Sequence, residues 1–469
     1  MRGTRRGSAM VLRAAALAAA ILCWGAAAHA QKVCDAKTYG AKADGATKDT
    51  QALQAAIDDC AKGGGIVRLS SGTFLTAPIV LKSHITLEID PGATLLGSQD
   101  KTDYPDMQEL RENALQPLIS ATNAEDITIR GGGTIDGNGK PWWDAVYAMR
   151  TRAGAPGAPG GAAGGGAPPN GSATPSSAAA QAAAPAGPPN AAAFRNSVFL
   201  AARRPRLLVL DHCKHVLIDG VTIQNSPSWQ VVPYYSDDVT IRNGKILAPA
   251  RSPNTDGVDP FSSTNVTITN MTIDVGDDNV AIKSGQPGSP GPDSPSRDIT
   301  VTDCIFLHGH GMSIGSEISG GVQNVHVARV SFKDTDQGVR VKSARDRGGD
   351  IGNFDFRDLT MENVGTPILI TEYYPRIPEH DTAQPVTRLT PRFHDISITN
   401  VTATGSKTAG TIIGLPESPI TTITLTNVHI SAPAGMTISD ATVTAHDFTV
   451  KAESGDPIIL LENAKVNQK

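Results

Sequence analysis

One short pattern recurs along this chain and limits what it can fold into. A polar residue is followed by apolar–any–apolar, then a turn residue, then a second apolar–any–apolar pair. Copies begin at Asp126-Ile127-Thr128-Ile129, His215-Val216-Leu217-Ile218, Asp238-Val239-Thr240-Ile241 and Asn265-Val266-Thr267-Ile268. They continue at Asp298-Ile299, Asn324-Val325, Asn353-Phe354, Asp395-Ile396 and Thr422-Ile423. From Val216 onward the steps are 23, 27, 33, 26, 29, 42 and 27 residues. Alternation with period two is the mark of a strand, and a repeat of roughly 20–50 residues is the mark of a solenoid. One unit is too small to bury its inward face, so units must stack and share a core. With several short strands per unit and no regular helix between them, the expected fold is all-β: a single-stranded right-handed parallel β-helix. A propeller, with a period of about 40 or more, fits less well.

The first thirty residues read as a signal peptide. Arg2, Arg5 and Arg6 make a positive start, Met10 to Ala28 is apolar, and Ala28-His29-Ala30 is a cleavage site that leaves Gln31 first. A leader of this kind implies a secreted protein, extracellular or periplasmic. Removing it takes four arginines and no acids from a chain of net charge -5, leaving about -9. Such a chain is a poor nucleic-acid binder. No later stretch reaches the roughly 20 apolar residues of a membrane span. We therefore expect one β-helix domain over 31–469, acting as a monomer.

Near the N-terminus, Leu53, Ala56, Ile57 and Cys60 fall at helical spacing, with Asp49 or Thr50 as cap and Gly63-Gly64-Gly65 beyond. This reads as a short capping helix within a cap over 33–97. Cys34 and Cys60 bracket it, and export permits them to bridge; Cys213 and Cys304 lie in strand-like runs and read as buried thiols. No Cys/His cluster argues for a metal, and no cofactor is expected. Residues 151–193 are Ala/Gly/Pro-rich and contain no Leu, Ile, Val or aromatic residue. Such a segment cannot offset the entropy of ordering and reads as a disordered insertion. The sequons at Asn265, Asn270 and Asn400 sit in the repeat, where ladder or turn roles are the better reading than glycosylation.

Four polar clusters stand out: Asn254-Thr255-Asp256, Gly276-Asp277-Asp278, Gly309-His310-Gly311 and Arg340-Val341-Lys342. Asp256 to Asp278 is 22 residues, Asp278 to His310 is 32, and His310 to Arg340 is 30. Each is about one repeat, which predicts one vertical column on successive rungs, about 4.8 Å apart. Clustered carboxylates repel one another, which raises the pKa of at least one. That is the requirement of glycoside hydrolysis, where one carboxyl group protonates the leaving oxygen and another activates water or attacks. Arg340 and Lys342, two apart on a strand, point the same way and suit a sugar carboxylate. Trp142, Trp143 and Trp229 could line a sugar groove or simply pack.

At these residues the chain closely resembles glycoside hydrolase family 28, the polygalacturonase family, with Val341 where its Arg-Ile-Lys motif has Ile. Tyr39-Gly40-Ala41-Lys42-Ala43-Asp44-Gly45 also resembles the opening of many pectin-active β-helices. The resemblance runs from about Val33 to beyond Tyr374, apart from the insertion. It implies a pectin-lyase-like solenoid and inverting hydrolysis of α-1,4-galacturonosidic bonds in pectic galacturonan. It further implies Asp277 as general acid, Asp256 and Asp278 as water activators, and His310 as tuner of the acid or holder of the sugar. Arg340 and Lys342 would bind the galacturonate carboxylate, with Tyr373, favoured over Tyr374, beside them. Related pectic substrates (rhamnogalacturonan, xylogalacturonan), a pectate lyase, and a non-catalytic polysaccharide-binding solenoid are the alternatives.

Overall fold

The repeat positions stack. The computed structural model describes residues 31–109, 112–152, 203–288 and 293–469. In it Ile127, Val216, Val239, Val266, Ile299, Val325, Phe354, Ile396 and Ile423 occupy one register column of parallel strands. All are buried. A fully buried Val or Ile contributes about 1.5–3 kcal/mol, so each rung adds to the stack through this column. Three parallel ladders run the length of the chain. One holds these residues, and a second runs from Asp44–Lys48 through Thr134–Asp136 to Ile305–Leu307. The two merge where strands lengthen, as in Val322–Lys333 and Asp350–Glu362. The third runs through Leu208–Asp211, Val231–Tyr234, Val280–Ile282, Met312–Ile314, Gln337–Lys342 and Thr366–Thr371. Isolated bridges at Val258 and Phe261 carry it across the one rung without a named strand. Parallel crossovers in one sheet are right-handed.

The polar residue that opens each repeat has a backbone role. Asp126, His215, Asp238, Asn265, Asp298, Asn324, Asn353, Asp395 and Thr422 all have φ between 51° and 60°. The left-handed region is tolerated best by Gly, then Asn and Asp, so these residues turn the corner into the inward strand. Asparagines at these and other left-handed positions donate from rung to rung. Asn265 Nδ2 donates to Asp237 Oδ1 at 2.7 Å, Asn270 to Asn243 at 2.8 Å, and Asn400 to Asp358 at 2.9 Å. The three sequon asparagines thus have the ladder roles expected of them.

The capping helix is present as Thr50–Cys60 and buries Leu53, Ala56, Ile57 and Cys60. Asp49 does not cap it with its side chain; that carboxylate accepts from the backbone N–H of Lys42 (2.6 Å) and Ala43 (2.9 Å). Cys34 and Cys60 form a disulfide, and Cys213 and Cys304 are buried free thiols. The cap is itself wound, since Lys32–Asp35 already pairs with Gly65–Leu69. From Lys32 onward the described residues cluster as one unit. A second helix, Lys140–Arg152, has no counterpart in the sequence reading, and neither has the antiparallel hairpin of Asp106–Glu109 and Glu112–Leu115. That helix takes in Thr151 and Arg152, the first two residues of the 151–193 segment. The rest of the insertion and the leader lie outside the described residues. Trp142 is buried edge-on against Tyr104 at 5.5 Å, and Trp143 Nε1 donates to the Ser226 carbonyl at 3.0 Å. Both tryptophans pack rather than line a groove.

The corner conformation should be measurable. Asn353 is exposed with φ of 60°, so Asn353→Val should cost about 1–2 kcal/mol in urea unfolding, while Asn353→Gly should cost much less.

Candidate active site

The four polar clusters converge on the third ladder, though not in a single column. Val258 pairs with Val280, and Val280 with Met312. Two residues earlier on each rung, this register aligns Asp256, Asp278 and His310. Asp277 lies one position upstream of that column. Arg340 is in register with Ser313 instead, and Lys342 lies two positions beyond it. The side chains nevertheless meet. Asp278 Oδ1 accepts from Arg340 Nη1 and from Ser313 Oγ, both at 2.7 Å, and its Oδ2 accepts from Lys342 Nζ at 2.8 Å. His310 Nδ1 stands 3.1 Å from Asp277 Oδ1 and 3.7 Å from Asp278 Oδ1, with Nε2 3.3 Å from Asp336 Oδ2. The sequence reading gave Arg340 and Lys342 to the sugar; both clamp Asp278.

Local chemistry explains the motif residues that carry no charge. Thr255 Oγ1 accepts from the Gly276 N–H at 3.1 Å and meets Ser252 Oγ at 2.7 Å, tying the first cluster to the second. Asn279 donates to the Ile273 and His308 carbonyls, both at 2.9 Å, and accepts from the Gly311 N–H at 2.8 Å, tying the second to the third. A Cβ on Gly276 would lie 2.3 Å from the Ser252 carbonyl oxygen. One on Gly309, whose φ is 91°, would lie 2.5 Å from the Asp277 oxygen, so both positions require glycine.

Two positions outside the clusters belong to the site. Arg204 donates to the Pro227 and Pro253 carbonyls at 2.8 and 2.6 Å and to Asn254 Oδ1 at 2.7 Å, bracing the loop that ends at Asp256. Burial pushes its pKa down to about 10. Arg204 stands in Arg203-Arg204-Pro205-Arg206, and nothing in that run marks which arginine turns toward the site. Trp229 stands one rung before Asp256 in the same column, with the Arg206 guanidinium 4.3 Å and the Lys283 ammonium 4.8 Å from its ring. The tyrosine near the site cations is Tyr374, whose ring centre is 5.4 Å from Lys342 Nζ and 6.0 Å from Arg340. Tyr373, the residue favoured from sequence, turns its hydroxyl to Asp381 at 2.6 Å.

Electrostatics separates the three aspartates. Burial pushes Asp256 well above the ordinary carboxylate range, and the charges of Asp277 and Asp259 push the same way. Burial also opposes ionisation of Asp278, but Lys342, Arg340 and His310 outweigh it and hold the group far below that range. Asp277 ends below it as well, because the charge and hydrogen bond of His310 exceed the cost of burial. Burial lowers His310, yet Asp277 and Asp336 raise it to about 10. The raised carboxyl is therefore Asp256, and the proton near Asp277 sits on His310. Asp277, Asp278 and His310 have donor atoms close enough to share a metal ion. However, both Asp278 oxygens are already engaged by Arg340 and Lys342, whose charges repel a further cation.

The His310 shift has a definite sign. Its folded pKa of about 10 exceeds the ordinary 6.5, so its stabilising contribution is full below about pH 6.5 and is lost as pH rises through about 10. The stability gap between wild type and His310→Ala, read by urea unfolding, should shrink across that window.

Comparison with known proteins agrees with this architecture. The family model "Glycosyl hydrolases family 28" matches residues 193–457. A second model, "Rhamnogalacturonase A/epimerase, pectate lyase-like", matches residues 33–103. A Vitis vinifera protein described as "Probable polygalacturonase" is 31% identical over 429 residues, covering 87% of this chain and 76% of that one. The endo-polygalacturonase of Pectobacterium carotovorum subsp. carotovorum is 29% identical, covering 86% and 89%. The solved structure of the hyperthermoactive exopolygalacturonase from Thermotoga maritima superposes with a TM-score of 0.67 at 26% identity, covering 93% of this chain and 92% of that one.

Proposed function

Since the chain belongs to glycoside hydrolase family 28, we infer that it is a glycosidase hydrolysing the α-1,4-galacturonosidic bonds of pectic galacturonan. The observation that carries the reading is the meeting of Asp256, Asp277, Asp278 and His310 with Arg340 and Lys342 on adjacent rungs of one face.

The proposed chemistry is a single, inverting displacement. Asp277 is the proton donor to the leaving oxygen, but not alone: it shares a proton with His310 across 3.1 Å, so protonation belongs to the pair. Asp278, held ionised by its clamp, and Asp256 orient and deprotonate the attacking water. Arg340 and Lys342 supply positive charge for a galacturonate carboxylate, and the neighbouring Tyr374, rather than Tyr373, faces that sugar. Export through the 1–30 leader and action as a monomer complete the proposal; the exported protein should then begin at Gln31 in N-terminal sequencing.

De-esterified polygalacturonate should yield new reducing ends without new ultraviolet absorbance. A product that absorbs through a chain-end double bond would instead identify a lyase. Asp277→Asn should lower kcat about 10²–10⁴-fold while the protein remains folded, as read by its cooperative unfolding. Undiminished turnover would remove Asp277 from its role.

A further inference from the structure

A second layer of buried charge lies beside the proton-transfer groups and takes no part in the steps above. Lys283 follows the strand Val280–Ile282 and pairs in register with Phe261. Its side chain is 5% exposed. The ammonium stands 3.9 Å from Asp256 Oδ2, 3.5 Å from Asp259 Oδ1 and 3.6 Å from Glu317 Oε2, and the Trp229 ring covers it. Asp259 is completely buried, and neither of its oxygens has a hydrogen-bond partner among the described residues; nor has Asp256 Oδ1.

A buried carboxylate is costly unless a cation compensates it. Across the site this compensation is divided: Asp278 has Arg340 and Lys342, Asp277 has His310, and Asp256 has Lys283. Lys283 is also in demand from Asp259 and Glu317, and Glu317 in turn lies 3.6 Å from Arg347. We propose that Lys283 is a positioning residue of the hydrolytic centre: a counter-ion shared by Asp256, Asp259 and Glu317 that holds Asp256 in place as a carboxylate able to draw a proton from the attacking water. This rests on the assignment of Asp256 to water activation.

The groups that face Asp256 set the sign of the effect. Asp277, Asp259 and Asp278 oppose its ionisation, Lys283 favours it, and Arg204 and Asp256 attract one another electrostatically. Asp259 is itself pushed up to about 7 by burial, with Lys283 pulling the other way. Loss of the ammonium therefore makes Asp256 harder to ionise, and loss of the Asp259 charge makes it easier. A purely structural lysine would affect stability alone.

The test is the pH profile of kcat/KM on de-esterified polygalacturonate, with kcat and KM separated and thermal unfolding measured beside them. Lys283→Met should move the acid-side limb to higher pH by about one unit and lower kcat more than KM changes. Lys283→Arg should restore the limb, and Asp259→Asn should move it to lower pH. If Lys283→Met and Asp259→Asn both leave the limb in place and only lower the unfolding temperature, Lys283 is a structural counter-ion and the proposal is wrong. If Lys283→Met does not fold, Asp259→Asn and Lys283→Arg decide the matter by the same readout. Wild-type protein that releases no reducing ends would overturn the functional reading itself, separately from any result with the variants.

Discussion

Everything in this molecule depends on strands pairing in parallel with their counterparts one turn earlier. The backbone hydrogen bonds of the third ladder align Leu208 with Val231, Val231 with Val258, Val258 with Val280 and Val280 with Met312. Register holds because a slip of one residue would turn every inward Val and Ile to solvent. Corner residues in the left-handed region keep each rung's strands starting at the same place, and Asn or Asp supplies that conformation at little cost. Rungs differ in length by many residues, as the 42-residue step into Ile396 shows, because extra chain is expelled as loops between corners.

On this scaffold the site is a small lattice of alternating charge. Carboxylates and cations from successive turns of chain face one another, and the innermost are buried: Asp256, Asp259, Asp278, Lys283 and Lys342 are each at most 4% exposed. In a region of low polarity such groups determine one another's protonation strongly. Three aspartates of the same chemical type are thereby driven apart: Asp256 upward, Asp277 and Asp278 downward. The difference comes from the cation each one meets and not from exposure.

Sequence made the scaffold and the charged clusters readable, because both follow a period. The inward column from Ile127 to Ile423 was visible as alternation, and the offsets near one repeat placed Asp256, Asp278 and His310 together. Pairing across columns was not readable. Arg340 and Lys342 reach Asp278 because of side-chain length and direction, which spacing does not encode. Tyr373 and Tyr374 are adjacent, so only the chain's path beyond Thr371 decides which one faces the cations. Arg204 and Asn279 act through backbone carbonyls and amides of neighbouring loops, a kind of contact with no residue pattern. The helix Lys140–Arg152 was missed because Trp142 and Trp143 were weighed only as groove-lining or packing residues and not as part of a helical face.

Because its functional groups are mounted on stacked rungs, this centre is adjustable only in coarse increments. The vertical interval between supports is about 4.8 Å, set by amide-to-carbonyl bonding common to every turn. Asp256 and His310 each lie two residues before a paired position, Val258 and Met312, so their height relative to Asp278 is tied to that pairing. Fine tuning is left to the reach of each side chain. A single methylene, as between aspartate and glutamate, is then the smallest available change, and one comparable in size to the contacts it would disturb.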